Sequence, residues 1–156
     1  RFIAAQAVML SLKGIPGIYY HSLLGSGNWI EGVEMSGINR RINRQKLDYH
    51  SLAEQLDDKS SLRNMVLNAQ KKLLEIRSRH SAFSPFSNQK VLDFSPSVFA
   101  LERYHPETKE KIITVINVTD KTVKLHEPIK GIDLLGSGNV ETMTRMKPYQ
   151  IAWILV

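Results

Sequence analysis

The stretch Gly14-Ile15-Pro16-Gly17-Ile18-Tyr19-Tyr20 decides the fold. Gly and Pro punctuate its first half, and Ile18-Tyr19-Tyr20 is a short apolar run of the kind that forms a strand buried on both faces. Upstream, Phe2, Ala5, Val8, Met9 and Leu12 recur at helical spacing over residues 1–13, and Gly14 ends the pattern. A helix, a tight turn and a doubly buried strand make an α/β unit, which implies a parallel sheet. A single strand cannot make that sheet, because its backbone needs hydrogen-bonding neighbours on both sides. Those neighbours are expected upstream of Arg1. The chain opens on Arg1-Phe2-Ile3 with an apolar pattern already running, as a chain cut inside or just before a helix does.

Downstream, residues 21–45 hold four glycines (Gly25, Gly27, Gly32, Gly37) and no sustained period, which predicts a long loop. Loops of that length inside a compact domain are functional or disordered. From about Ser60 to Arg79 the pattern is helical again. Leu62, Val66, Ala69, Leu73 and Ile76 form one stripe, widened by Met65, with Ser60 or Ser61 suited to the N-cap and Arg77 and Arg79 to the last turn. After Ser84-Pro85 the period changes to two. Strands are predicted at 90–94, 98–104, 111–118, 122–126, 140–144 and 149–155, separated by turn residues that include Gly136-Ser137-Gly138-Asn139. Short strands at even spacing indicate an antiparallel sandwich. The chain therefore divides into an α/β part, 1–86, and an all-β domain, 87–156.

Composition excludes several classes. The chain has no cysteine, so disulfides and thiolate metal sites are ruled out, and a reducing cytoplasm fits. No apolar run is long enough to span a bilayer, and no secretory signal is visible. The net charge of +6 comes from 21 Lys and Arg against 15 Asp and Glu, spread along the chain rather than gathered in a nucleic-acid module. His50, His80, His105 and His126 fall in separate elements, so the spacing supports no metal site. Asn117-Val118-Thr119 fits a glycosylation sequon but sits where a strand ends in a turn.

The order of blocks is more specific than any one of them. Gly-Ile-Pro-Gly-Ile-Tyr-Tyr at 14–20 is followed by a glycine-rich loop and by Asn39-Arg40-Arg41-Ile42-Asn43-Arg44. A helix then ends in Glu75-Ile76-Arg77-Ser78-Arg79-His80-Ser81-Ala82-Phe83, and the chain closes on Lys147-Pro148-Tyr149-Gln150-Ile151-Ala152-Trp153-Ile154-Leu155. This resembles the end of an α-amylase-superfamily enzyme (glycoside hydrolase family 13), and 39–44 looks most like the sucrose phosphorylase group. That group includes enzymes acting on sucrose, sucrose 6′-phosphate and glucosylglycerate. The resemblance implies the last strand and helices of a (β/α)₈ barrel, which needs roughly 250 residues in all, followed by an antiparallel sandwich domain. It implies a bacterial-type cytoplasmic enzyme that uses inorganic phosphate as co-substrate and no other cofactor, with the upstream barrel as physical partner. Retaining glycosyl transfer requires two suitably spaced carboxylates. In this family they stand before the eighth strand, so the resemblance implies no catalytic residue in 1–156 and no activity for this chain alone.

Four residues are candidates for sugar binding. Arg40 matches the arginine that closes the glucose pocket in this family, a task suited to the guanidinium fork; from the residues alone it is a solvated charge. Arg41 departs from the sucrose phosphorylase pattern, where an acidic residue is expected, and this favours the glucosylglycerate or phosphosugar branch. Arg44 either ties the loop down or contacts phosphate. Trp29 either stacks on a sugar or plugs the loop, and His21 is either a hydrogen-bonded structural histidine or a pocket residue. Tyr19 and Tyr20 are expected in the core, and Glu31 and Glu34 in solvent. A non-catalytic module, either carbohydrate-binding or a structural β-domain, is the alternative. Carbohydrate binding calls for a row of exposed aromatics, whereas Phe94, Phe99, Tyr104, Tyr149 and Trp153 mostly alternate inward, which favours the structural role. The unpaired strand and the apolar helix stripes should be exposed in this chain and favour self-association.

Overall fold

The computed structural model describes residues 1–136 and 138–156, which form two compact units, Arg1–Pro16 with Lys72–Val156 and Gly17–Lys71. The first unit is built on six strands: β1 (Asn88–Val91), β2 (Val98–Tyr104), β3 (Lys111–Asn117), β4 (Val123–Asp133), β5 (Gly138–Met146) and β6 (Ile151–Leu155). They form one sheet in the order β1-β2-β3-β6-β4-β5, with every neighbour antiparallel. The register across β2, β3 and β6 sets Ala100 beside Val115 and Val115 beside Ala152, and these alternate with Leu101, Thr114 and Trp153 on the opposite face.

On the first face Val98, Ala100, Val115, Ala152 and Ile154 bury against Leu125, Ile129 and Met146 of β4 and β5. That is the packing of a sandwich, carried by a sheet that remains continuous because β4 also pairs with the end of β6 at Ile132 and Asp133. Gly131 makes the continuity possible. It sits at a register shift with φ +144, where a Cβ would run into the Leu155 carbonyl and the Ile154 side chain. The second face is covered by α1 (Phe2–Ser11) and by the 3₁₀ turn η2 (Ser81–Phe83). Leu10, Phe83, Leu101, Ile112, Ile116 and Trp153 are fully buried, with the Phe83 and Trp153 rings 4.5 Å apart. The predicted strands match within a few residues. The exception is β4, which runs on to Asp133, while the predicted turn at 136–139 includes Ser137, outside the described residues.

The barrel tail is where expectation and structure part. The expected helix forms as α1, but it lies on antiparallel strands. The strand expected at Ile18–Tyr20 does not form. Tyr19 has extended backbone (φ −73, ψ 135), yet among the described residues no ladder includes it, and Tyr20 opens the short helix α2 (Tyr20–Leu23). An extended segment becomes a strand only when a neighbour accepts and donates its backbone hydrogen bonds. Without one, Ile15 is 88% exposed and Tyr19 and Tyr20 are half-exposed rather than in a core.

The second unit holds α2, α3 (Ile30–Ser36), the 3₁₀ turn η1 (Asn39–Asn43), α4 (Tyr49–Asp57) and the first part of α5 (Leu62–Arg79). The stretch expected to be loop is thus largely short helices. Asp48 caps α4 by accepting the Ser51 amide at 2.9 Å, and Ser61 caps α5 by accepting the Asn64 amide at 3.0 Å. The α5 stripe is buried at Val66 and Leu73, while Leu62 and Met65 stand exposed. Among the described residues no helix is long and apolar enough to cross a membrane.

Candidate functional site

His21, on α2, is buried, and its Nδ1 lies 3.0 Å from Ser26 Oγ. The Arg63 guanidinium donates to the same Oγ at 2.9 Å and to the Leu24 carbonyl at 3.1 Å, which fixes the turn after α2. Burial is the main force holding the His21 pKa below the ordinary histidine value, and the Arg63 charge adds to it; the Gln45 backbone pulls slightly the other way. The ring is therefore neutral near pH 7. Its other nitrogen, Nε2, is buried with no hydrogen-bond partner among the described residues, and the ring packs 4.0 Å from that of Tyr20.

Trp29 precedes α3, and its indole lies over Gly32, where any Cβ would meet the ring. Two hydrogen bonds hold η1 in place. The Trp29 amide donates to the Ile42 carbonyl at 2.6 Å, and the Tyr19 hydroxyl donates to the Asn43 carbonyl at 2.9 Å. Together they frame a concavity of about 610 Å³ lined by Trp29, Ile38, Arg40, Arg41, Arg44, Gln45 and Lys46. A smaller one beside Tyr19 shares Arg40 and Arg44. Trp29, Arg40 and Arg44, picked out separately in the sequence, are thus brought to one place, and Arg41 and Lys46 join them. His21 lines neither hollow. Glu31 and Glu34 are exposed, as expected.

The sequence pattern singles out no role for Arg63, and it places Arg77 at a helix end and Arg103 in a strand. In the first unit Arg103 is fully buried and donates to the carbonyls of Ser11, Ser84 and Asn88 at 2.9, 2.8 and 3.3 Å. Arg77 donates to the Leu10 and Gly14 carbonyls, and both guanidiniums flank the Phe83 ring. The only signal was a charged residue in phase with the buried face of β2. A hollow of about 660 Å³ in this unit is lined by Ile15, Leu74, Arg77, Phe83 and neighbours, and contains none of the predicted site residues.

Asn117 is buried. Its amide donates to the Lys121 and Lys147 carbonyls, and its oxygen accepts from Thr119, so the sequon serves as a turn lock. None of Phe94, Phe99, Tyr104, Tyr149 and Trp153 is an exposed aromatic, which removes the basis for a carbohydrate-binding sheet face. Among the described residues no group of three His, Asp or Glu is placed to hold a metal.

No family model matches the sequence. Among curated proteins, the chain is 52% identical over 119 residues to the glucosylglycerate phosphorylase of Spirochaeta thermophila, covering 76% of the chain and 20% of that protein. It is 41% identical over 155 residues to the glucosylglycerate phosphorylase of Allomeiothermus silvanus, covering 99% of the chain and 27% of that protein. The chain thus spans about a quarter or less of the length of these relatives. Among solved structures, the trehalulose synthase of Pseudomonas mesoacidophila superposes with a TM-score of 0.73 over 99% of the chain and 38% of that enzyme. At 16% identity this is a likeness of fold alone.

Proposed function

Because the chain belongs to the sucrose phosphorylase-like group of the α-amylase superfamily and matches a C-terminal portion of those enzymes, we propose that it completes a retaining α-glucosyl phosphorylase, with glucosylglycerate as the first candidate substrate. The 52% identity to a glucosylglycerate phosphorylase carries this reading. The catalytic carboxylates belong to the rest of the protein, and this chain supplies the walls of the sugar site. In that role Arg40 holds glucose hydroxyls, Arg44 supports the same hollow, and Trp29 offers an indole face to the sugar. His21, buried and neutral, orders the loop that carries them. Residues 1–86 complete the barrel, with the exposed Ile15–Tyr20 segment pairing with barrel strands, and 87–156 form the C-terminal β-domain. A cytoplasmic enzyme with inorganic phosphate as co-substrate fits this reading.

The test is glucose 1-phosphate release by the complete protein from glucosylglycerate, sucrose and sucrose 6′-phosphate, with and without phosphate. Phosphate-dependent release from glucosylglycerate is expected. Hydrolysis that ignores phosphate, or no turnover of any of the three, would remove the phosphorylase assignment.

A further inference from the structure

The hollow framed by Trp29 and η1 has a charge pattern that glucose does not explain. Four cations line it, Arg40, Arg41, Arg44 and Lys46, and no carboxylate does. None of the four makes a side-chain hydrogen bond or ion pair among the described residues, and all four are exposed. The backbone sharpens the pattern. The Arg44 amide donates to the Arg41 carbonyl at 3.0 Å, closing the last turn of η1. Arg41 and Arg44 thus sit at the end of one turn, and both line the same hollow, where like charges raise the energy unless an anion is bound. A neutral hexose offers hydroxyls and carries no charge for four cations to balance. The cations match an oxyanion, which two guanidiniums can grip with paired N–H groups.

Resting on the phosphorylase reading, we propose that Arg41 and Lys46, with Arg44, form an oxyanion subsite that selects a glucoside whose aglycone bears a carboxylate. The volume of about 610 Å³ is that of a small-molecule site, and Trp29 supplies its apolar wall. The same cations suit the carboxylate of the departing aglycone and incoming inorganic phosphate, since both are small oxyanions.

The test uses the complete protein and its Arg41→Gln, Arg41→Lys and Lys46→Gln variants. The first measurement is kcat/KM for glucosylglycerate against glucosylglycerol, which lacks the carboxylate, together with KM for phosphate. The ratio of the two kcat/KM values is expected to fall about tenfold or more in Arg41→Gln, the loss typical of one charge-assisted hydrogen bond, and to recover partly in Arg41→Lys. A rise in phosphate KM with an unchanged ratio would assign the subsite to phosphate. An unchanged ratio and unchanged phosphate KM would overturn the proposal, and so would equal losses on both glucosides. The second measurement is calorimetric binding of glycerate, glycerol and inorganic phosphate, which does not depend on turnover. If the wild type shows no phosphorolysis yet binds glycerate over glycerol through Arg41, the function assignment fails and the oxyanion subsite stands. If it binds neither glycerate nor phosphate, the subsite fails.

Discussion

Replacing Arg103 by Met tests what holds α1 on the sheet. The guanidinium is fully buried and, among the described residues, pairs with no carboxylate; its partners are the carbonyls of Ser11 at the end of α1, Ser84 after η2 and Asn88 in β1. A buried acceptor left without a donor, as Ser11 would be, costs about 1–3 kcal/mol, and the partly buried Ser84 and Asn88 carbonyls cost less. The Asn88 bond is the longest at 3.3 Å and contributes least. Methionine keeps much of the apolar volume against Phe83 and adds no buried charge. Burial, with the nearby Arg77 charge second, pulls the Arg103 pKa down to about 10, so removing the guanidinium relieves a desolvation cost that offsets part of the loss. The net expectation is a loss of about 2–4 kcal/mol, a large share of the roughly 5–15 kcal/mol by which domains are stable. Trp153, packed on Phe83, gives the readout. Urea unfolding followed by its fluorescence in a Trp29→Phe background should show a lower midpoint with an unchanged slope. A loss below about 1 kcal/mol would mean that water satisfies the three carbonyls and that the arginine is not a structural clasp.

Glu110 accepts from the Ala82 amide, His80 and the Ser81 hydroxyl. Burial alone would raise its pKa, and these donors more than offset it, so the folded value lies below the ordinary one. Its contribution to stability is therefore complete above the ordinary carboxylate pKa and is lost as pH falls through the lower folded value; unfolding titrations from pH 6 to 3 should show a shallower acid decline in Glu110→Gln. Asn117→Ala strips the lock between the turns after β3 and β5 and should cost about 2–4 kcal/mol by denaturant unfolding. Gly131→Ala sets a Cβ against the Leu155 carbonyl at φ +144 and should cost more than about 2 kcal/mol, with hydrogen exchange rising first in β4 and the end of β6.

The β-domain was legible because its signals are local. Alternation in Val98–Tyr104 and Lys111–Asn117, with turn residues between, fixes strands whose partners are also in the chain. The continuity of the sheet was not legible, since it depends on one glycine allowing β4 to reach β6. Nor were α2, α3 and η1. Four glycines over 21–45 hide them because each helix is too short to show a period, and what holds them is tertiary: Arg63 on Ser26, Trp29 on Gly32 and Ile42, Tyr19 on Asn43.

The site follows the same division. Arg40, Arg44 and Trp29 carried recognisable types at recognisable places, and the structure sets them around one hollow. The charge excess there becomes visible only when Arg41 and Lys46 join them, since in sequence a run of basic residues in a loop looks like solvated surface. The Ile15–Tyr20 segment makes the complementary case. Its residues are strand formers and Tyr19 is already extended, but a strand is a relation between two segments, and among the described residues no ladder includes this one. The exposure of Ile15 and Tyr20 thus follows from the same physics that buries Trp153. Apolar side chains go where neighbours exist, and those of this segment are matched by barrel strands on the proposed reading. Because η1 is tied to that segment through the Tyr19 hydroxyl, pairing of the segment and placement of the arginines are mechanically coupled. On the proposed reading, loss of the hydroxyl in Tyr19→Phe should therefore weaken calorimetric sugar binding by the complete protein more than it lowers its denaturant midpoint.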